Sequence, residues 1–96
     1  MELQEKANEI VERIDEKFDI KRDNNIALVQ LFEEVGELVR PFNTANMKRQ
    51  ELDSENLEEE LADVFMVLSN VASMNNIDME DAVLKKIEIL KRRHDL

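Results

Sequence analysis

The stretch LFEEVGELVR (Leu31–Arg40) carries two patterns at once. Leu31, Phe32, Val35, Leu38 and Val39 recur at three and four, the spacing of one face of an α-helix. Set among them are Glu33, Glu34 and Glu37, together with Gly36, the only glycine in the chain. Carboxylates and a helix-weakening glycine inside an apolar segment need a reason. The same anomaly returns downstream, where Glu60 and Asp63 interrupt the apolar run of EEELADVFMVLSNVA (Glu58–Ala72).

Working outward, the helical period continues on both sides. Leu3, Ala7, Ile10, Val11, Ile14 and Phe18 predict a first helix over 2–18. Asp23 or Asn24 can cap a second, over 25–40, with Leu28, Leu31, Phe32, Val35 and Val39 as its core stripe. Pro41 is expected to end it, because the residue before a proline is pushed out of the α region. PFNTANMKRQEL (Pro41–Leu52) then reads as a loop. Asp53 or Ser54 caps a third helix over 54–74, with Leu57, Leu61, Val64, Phe65, Leu68 and Ala72 as its stripe. Asp78 caps a fourth over 79–94, carrying Met79, Ala82, Val83, Ile87 and Leu90. Nothing alternates with period two over a useful length, so no strand is expected. The fold class is all-α: a four-helix bundle-like domain spanning 1–96, completed by oligomerisation because a chain this short buries a modest core.

The formal net charge is −10. That excludes a nucleic-acid polymer or an anionic membrane surface as a natural partner. A small phosphate compound remains compatible if a cation bridges the like charges. No cysteine is present, which removes disulfides, thiol nucleophiles and cysteine metal sites. The N-terminal segment is amphipathic and charged, with neither a signal peptide nor a membrane span, so the expected location is cytoplasmic. No Lys or Arg occurs from Gln50 to Leu84, whereas Lys85, Lys86, Lys91, Arg92 and Arg93 crowd the chain's end. Complementarity to helix dipoles accounts for much of that pattern.

At 100° per residue, Glu34 falls in a row with Ala27, Leu31 and Leu38. On the third helix a flanking row reads Asn56, Glu60, Asp63, Val67, Val71 and Met74, acidic in its first half and apolar in its second. Each central helix therefore carries an acid pair at i, i+3 on a flank that is otherwise buried, and residues three apart are neighbours. Packed side by side, the two pairs face one another. Burying unpaired carboxylates costs several kcal/mol each, so something positive must offset it. Oxygen-only ligands without Cys point to a hard cation, Mg2+ with Mn2+ as substitute. His94, the one histidine, lies at the far end of the chain. The competing view is that such pairs are solvated or salt-bridged acids of an acidic helical protein. Gly36 reads as a point of close helix approach, with no chemistry of its own.

EEVGE (Glu33–Glu37) followed by EELAD (Glu59–Asp63) resembles the MazG-like all-α nucleoside triphosphate pyrophosphohydrolases, whose signature is E-E-x-x-E on one helix and E-x-x-D on the next. The resemblance runs from about Ala27 to Lys91. It implies that Glu34, Glu37, Glu60 and Asp63 ligate magnesium. It also implies that Glu33, the leading acid, orients water or a second ion, with Glu33 and Glu34 forming the catalytic pair. The implied reaction cleaves (deoxy)nucleoside triphosphates between the α- and β-phosphates, and the implied assembly is a homodimer or homotetramer with sites near the subunit interface. Lys86, Lys91 and Arg93 are candidates for the outer phosphates, and equally a dipole-favoured cluster at a helix end. Asn70 and Asn75 offer hydrogen bonds to a substrate, or a polar surface and a helix end. Phe42 reads as a loop anchor, with base stacking the alternative. Leu90 stands where the family often has a polar residue.

Three other readings compete. A phosphoribosyl-ATP pyrophosphatase has a similar helical, carboxylate-rich build. A non-catalytic oligomeric module could bind nucleotide or metal. A di-iron bundle requires Glu-x-x-His, and EELAD has Asp63 where that His belongs.

Overall fold

A computed structural model of the chain describes residues 2–48 and 50–96. It contains α1 (Glu2–Lys17), α2 (Asn24–Lys48), α3 (Ser54–Met74) and α4 (Met79–Arg93), and no strand among the described residues. Aspartates open three of these helices. The Oδ1 atoms of Asp23, Asp53 and Asp78 accept from the backbone N–H groups of Ile26, Asn56 and Asp81 at 2.9, 3.1 and 3.0 Å. Each satisfies a donor that a helix start leaves without an intrahelical partner. Asn75 closes α3: its side-chain amide donates to the Val71 carbonyl at 2.7 Å and pairs with Asn24 at the start of α2. Of the two roles open to Asn75, the structure shows the helix end.

The second helix does not stop at Pro41. It continues to Lys48, which makes a helix of most of the loop expected over 41–52; Arg49 lies outside the described residues. Proline inside a helix removes one hydrogen bond and costs about 3 kcal/mol. Here the pyrrolidine ring is buried, and that apolar burial works against the cost. Phe42 accordingly sits on a helix, 44 % exposed, and is no loop anchor.

Helix α3 is the central element. α2 packs along it, and α1 crosses it, with Gln4 at Ser73 and Asn8 at Asn70. The faces that meet are not the expected stripes. α1 turns inward Gln4, Ala7 and Asp15, and α2 turns inward Ala27 and Pro41, with Gln30, Glu34, Glu37 and Leu38 half-buried. Leu3, Ile10 and Ile14 of α1, Phe18 just after it, and Leu28, Phe32, Val35 and Val39 of α2 are exposed; Phe32 reaches 78 %. The buried apolar residues are small: Ala7, Ala27, Val67 and Ala72. The reason is steric and chemical together. Small residues, Ala27 on α2 and Val67 and Ala72 on α3, are the ones buried, while the large side chains remain on the outside, where one copy of the chain has nothing to cover them. Gly36 belongs to that outside as well. A Cβ built there would meet nothing within 4 Å, so no close approach inside the chain explains it.

Polar groups tie the small core together. Asp15 grips Arg22 through two bonds, to Nε at 2.7 Å and Nη2 at 3.0 Å, with both side chains 12 % exposed. The remaining Arg22 terminal nitrogen donates to Gln30 of α2. Gln4, buried, donates to Ser73 Oγ at 3.2 Å and to the Ile77 carbonyl at 2.8 Å, and accepts from the Met79 N–H at 2.7 Å. One glutamine thus holds α1, the end of α3 and the first residue of α4. Beyond that joint α4 stands clear, with no buried residue. The radius of gyration, 16.3 Å, exceeds the roughly 12.5 Å of a compact chain of this length. No helix among the described residues is long and apolar enough to cross a membrane.

The Asp15–Arg22 pair gives a direct test of this polar architecture. Arg22→Met leaves Asp15 enclosed without a counter-charge and is expected to lower stability by about 3 kcal/mol, read by urea denaturation. A loss below about 1 kcal/mol, the range of an exposed pair, would show that water already reaches Asp15.

Candidate metal centre

The α2–α3 pair is antiparallel: Asn24 meets Asn75 at one end, and further along α2 the acids of α2 meet those of α3. This register brings Glu34, Glu37 and Glu60 together. One carboxylate oxygen from each lies within 4.8 Å of the other two, and all three residues are half-buried. Glu34 and Glu37 are three apart on one helix, and Glu60 arrives from the facing one. Spacing within each helix and pairing between helices are both needed to build the trio.

Two oxygens of the trio are orphans. Glu34 Oε2 and Glu60 Oε2 are enclosed and have no hydrogen-bond partner. Buried carboxylate oxygens are normally paired or on a metal. The electrostatics agree. Burial raises the pKa of Glu34, and the charges of Asp63, Glu37, Glu60 and Glu33 raise it further. Burial and the charges of Glu37 and Asp63 also raise Glu60, against a smaller opposing effect of Arg40. Like charges are therefore held at close quarters in a partly dry seam, and a hard divalent cation is the group whose ligand preferences match this all-oxygen set. On the orphaned oxygens and the donor chemistry, Glu34, Glu37 and Glu60 fit such an ion.

The other expected site residues divide. Asp63 is exposed and outside the trio, yet it lines a cavity of about 220 Å3 with Glu34. That cavity is a trench between three helices, walled by Val11 and Ile14 of α1, Gln30 of α2, and Met66, Val67 and Asn70 of α3. Asn70 is buried at its end. Glu33 points elsewhere, exposed and lining a separate surface hollow with Asn25, Ile26 and Val29. Lys86, Lys91 and Arg93 are exposed on α4, and Lys91 pairs with Glu88 at 3.6 Å. The structure therefore assembles Glu34, Glu37 and Glu60, sets Asp63 and Asn70 along the adjoining trench, and brings neither Glu33 nor the α4 cations to them within one chain.

Sequence reasoning missed the part played by α1. Val11 and Ile14 were expected in the core and instead wall the trench. Asn8, which carries the amide contact to Asn70, drew no attention. A signal was present: Gln4, Asn8, Val11 and Asp15 form a row at three and four whose first half carries amides where a solvated face usually carries charges.

The family model described as the MazG nucleotide pyrophosphohydrolase domain matches residues 22–96. No curated protein matches the chain.

The raised Glu34 predicts a pH-dependent stability with a definite sign. An acid whose pKa is higher folded than unfolded binds more protons in the native state, so stability falls as pH climbs. The fall starts near the ordinary value of 4.5 and finishes above the raised one. Without divalent cation, the melting temperature is expected to drop across that window, and Glu34→Gln to remove part of the drop. Magnesium chloride should raise the melting temperature at pH 7 and do so less at pH 5, where protonated acids ligate poorly. Equal magnesium effects at both pH values would contradict a carboxylate site.

Proposed function

The chain belongs to the MazG nucleotide pyrophosphohydrolase domain family, and from that premise we propose that it is a magnesium-dependent hydrolase of nucleoside triphosphates, ribo or deoxy. It cleaves between the α- and β-phosphates, yielding monophosphate and pyrophosphate. The observation that carries this reading is the convergence of Glu34, Glu37 and Glu60 with two enclosed, unpartnered oxygens. Those three hold the ion, with Asp63 completing the set from the trench side. A divalent cation bound there supplies positive charge against the phosphate oxygens and acidifies water.

The chain's own residues supply the rest. Glu34 has the highest stake in a proton, being enclosed and surrounded by four other acids. It accepts the proton of the attacking water as general base. The water oxygen bonds to phosphorus, the bridging P–O bond breaks, and pyrophosphate leaves. Glu33 acts at a distance: burial and the charges of Asp63, Glu37 and Glu60 raise the proton affinity of Glu34, and the charge of Glu33 adds the smallest share. Asn70 holds the substrate's far end. No covalent nucleophile is needed, since phosphoryl transfer rests on positioning and electrostatics. Such a substrate places the protein in the cytoplasm.

The reading also requires a second copy. Phe32, Val35 and Val39 on α2, and Val83, Leu84 and Ile87 on α4, are apolar and exposed. Joined faces of this kind form a homodimer or homotetramer, and α4 of one copy carries Lys86, Lys91 and Arg93 toward the phosphates held by another.

Product analysis tests the chemistry. With magnesium and a panel of triphosphates, the wild type should release monophosphate and pyrophosphate, and Glu34→Gln and Asp63→Asn should lose at least about a hundredfold in rate. Release of single phosphate, unaffected by either variant, would sink the reading. The assembly has its own test. Phe32→Glu places a charge in the apolar face and should shift the sedimenting species to monomer mass; an unchanged mass would mean that this face is not the contact.

A further inference from the structure

The trench at the acids does not end at Asn70. Beyond that side chain lies a second cavity of about 270 Å3, lined by Asn8, Glu12 and Asp15 of α1, by Arg22, and by Asn70 and Ser73 of α3. Asn70 belongs to both cavities and is only 3 % exposed. Its Nδ2 donates to Asn8 Oδ1 at 3.0 Å, while its own Oδ1 is enclosed and has no partner. A buried acceptor left unmet is costly, and this one borders a polar cavity large enough for a planar ring.

The neighbours define what it lacks. Both Asp15 oxygens are taken by Arg22. Asn8 Nδ2 donates to one Glu12 oxygen at 3.1 Å. Ser73 Oγ accepts from Gln4, which leaves its O–H to donate. The wall thus shows acceptors at Asn70 and Glu12, a donor at Ser73, and further donors in the N–H groups that Asn8 and Arg22 leave unused. Between this wall and the acids the trench is apolar, with Val11, Ile14, Met66 and Val67. Asp63 and Asn70 are two helical turns apart on one face of α3, about 10 Å along the axis. That is room for a sugar between phosphates at the acids and a ring at Asn70.

We propose that this second cavity takes the nucleobase, and that it selects bases whose exocyclic amine stands at pyrimidine C4 or purine C6, cytosine and adenine. The amine donates to Asn70 Oδ1, and the adjacent ring nitrogen accepts from the Ser73 hydroxyl. Thymine, uracil and guanine present a carbonyl at that place, setting acceptor against acceptor. The proposal rests on the reading of the acids as the phosphate end. The two selecting groups, Asn70 and Ser73, lie on α3 within the 22–96 segment that the family model matches, while Asn8, which holds Asn70, lies on α1 before it.

Two measurements separate this proposal from the hydrolase reading. The first compares kcat/KM for the triphosphates of deoxycytidine, deoxyadenosine, thymidine and deoxyguanosine. The wild type should favour the two amino bases by at least about tenfold. Asn70→Leu and, independently, Asn8→Ala should reduce that preference to about twofold or less, through loss on the amino bases. Both should keep the magnesium-induced rise in melting temperature. Equal turnover of all four, or a preference that survives both substitutions, overturns the proposal. The second titrates deoxycytidine and thymidine monophosphates, which have no anhydride to cleave, while following the side-chain amide resonances of Asn8 and Asn70 by NMR. Shifts with the first and not the second support the cavity even if no triphosphate is turned over, in which case the hydrolase reading alone falls. Turnover without any shift at either amide retires the cavity and leaves the hydrolase standing.

Discussion

Repulsion across the α2–α3 seam is the constraint on which this molecule turns. Glu34 and Glu37 are carried into Glu60 by the same antiparallel register that pairs Asn24 with Asn75. The two helices cannot pack in this register without bringing the acids together. Ala27, Val67 and Ala72 supply close contact along the seam, and burial of these small groups is the favourable term set against the repulsion. The fold and the site are therefore one object: a cation that relieves the charge also fastens the helix pair.

The inward faces of α1 and α2 follow the same economy. Both turn polar or small residues toward α3 and large apolar ones away from it. For a solitary domain this arrangement is inverted. For the subunit we propose it is consistent: the polar seam would serve as the working cavity, and the apolar exterior as the surface that a further copy covers. Gly36, exposed with open space around it, lies on the side that such a copy would approach.

The number and placement of the helices were legible because caps and periodicity are local. Asp23, Asp53 and Asp78 each stand at a helix start and act there. The Glu34–Glu37 pair was legible too, since residues at i, i+3 converge on any helix, whereas Glu60 joins them only through the α2–α3 pairing and Asp63, expected with them, stays outside the trio. What the sequence concealed depends on partners. Phe32 and Val39 have the spacing of a core stripe, and periodicity identifies an apolar face without saying whether it meets its own chain or another. Helix α2 ran past Pro41 because burial of the ring opposed a local rule. The role of α1 in the trench was hidden because Asn8 and Asn70 are 62 positions apart, and no local pattern encodes that contact.

Pro41 has a consequence in time as well as in space. It lies one turn beyond Glu37 and lacks the N–H that the Glu37 carbonyl would otherwise receive. The hydrogen-bond ladder of α2 loses one rung there, while the helix continues through it to Lys48. The stretch over 41–48 opens with a proline, the residue best suited to a helix's first turn. Unwinding that begins at Lys48 breaks no bond of the segment that holds Glu34 and Glu37. The tail can therefore exchange its amides on its own clock while the acid-bearing turns keep theirs. The proline that suggests a stop in the sequence leaves one continuous helix with its missing rung one turn past the acids.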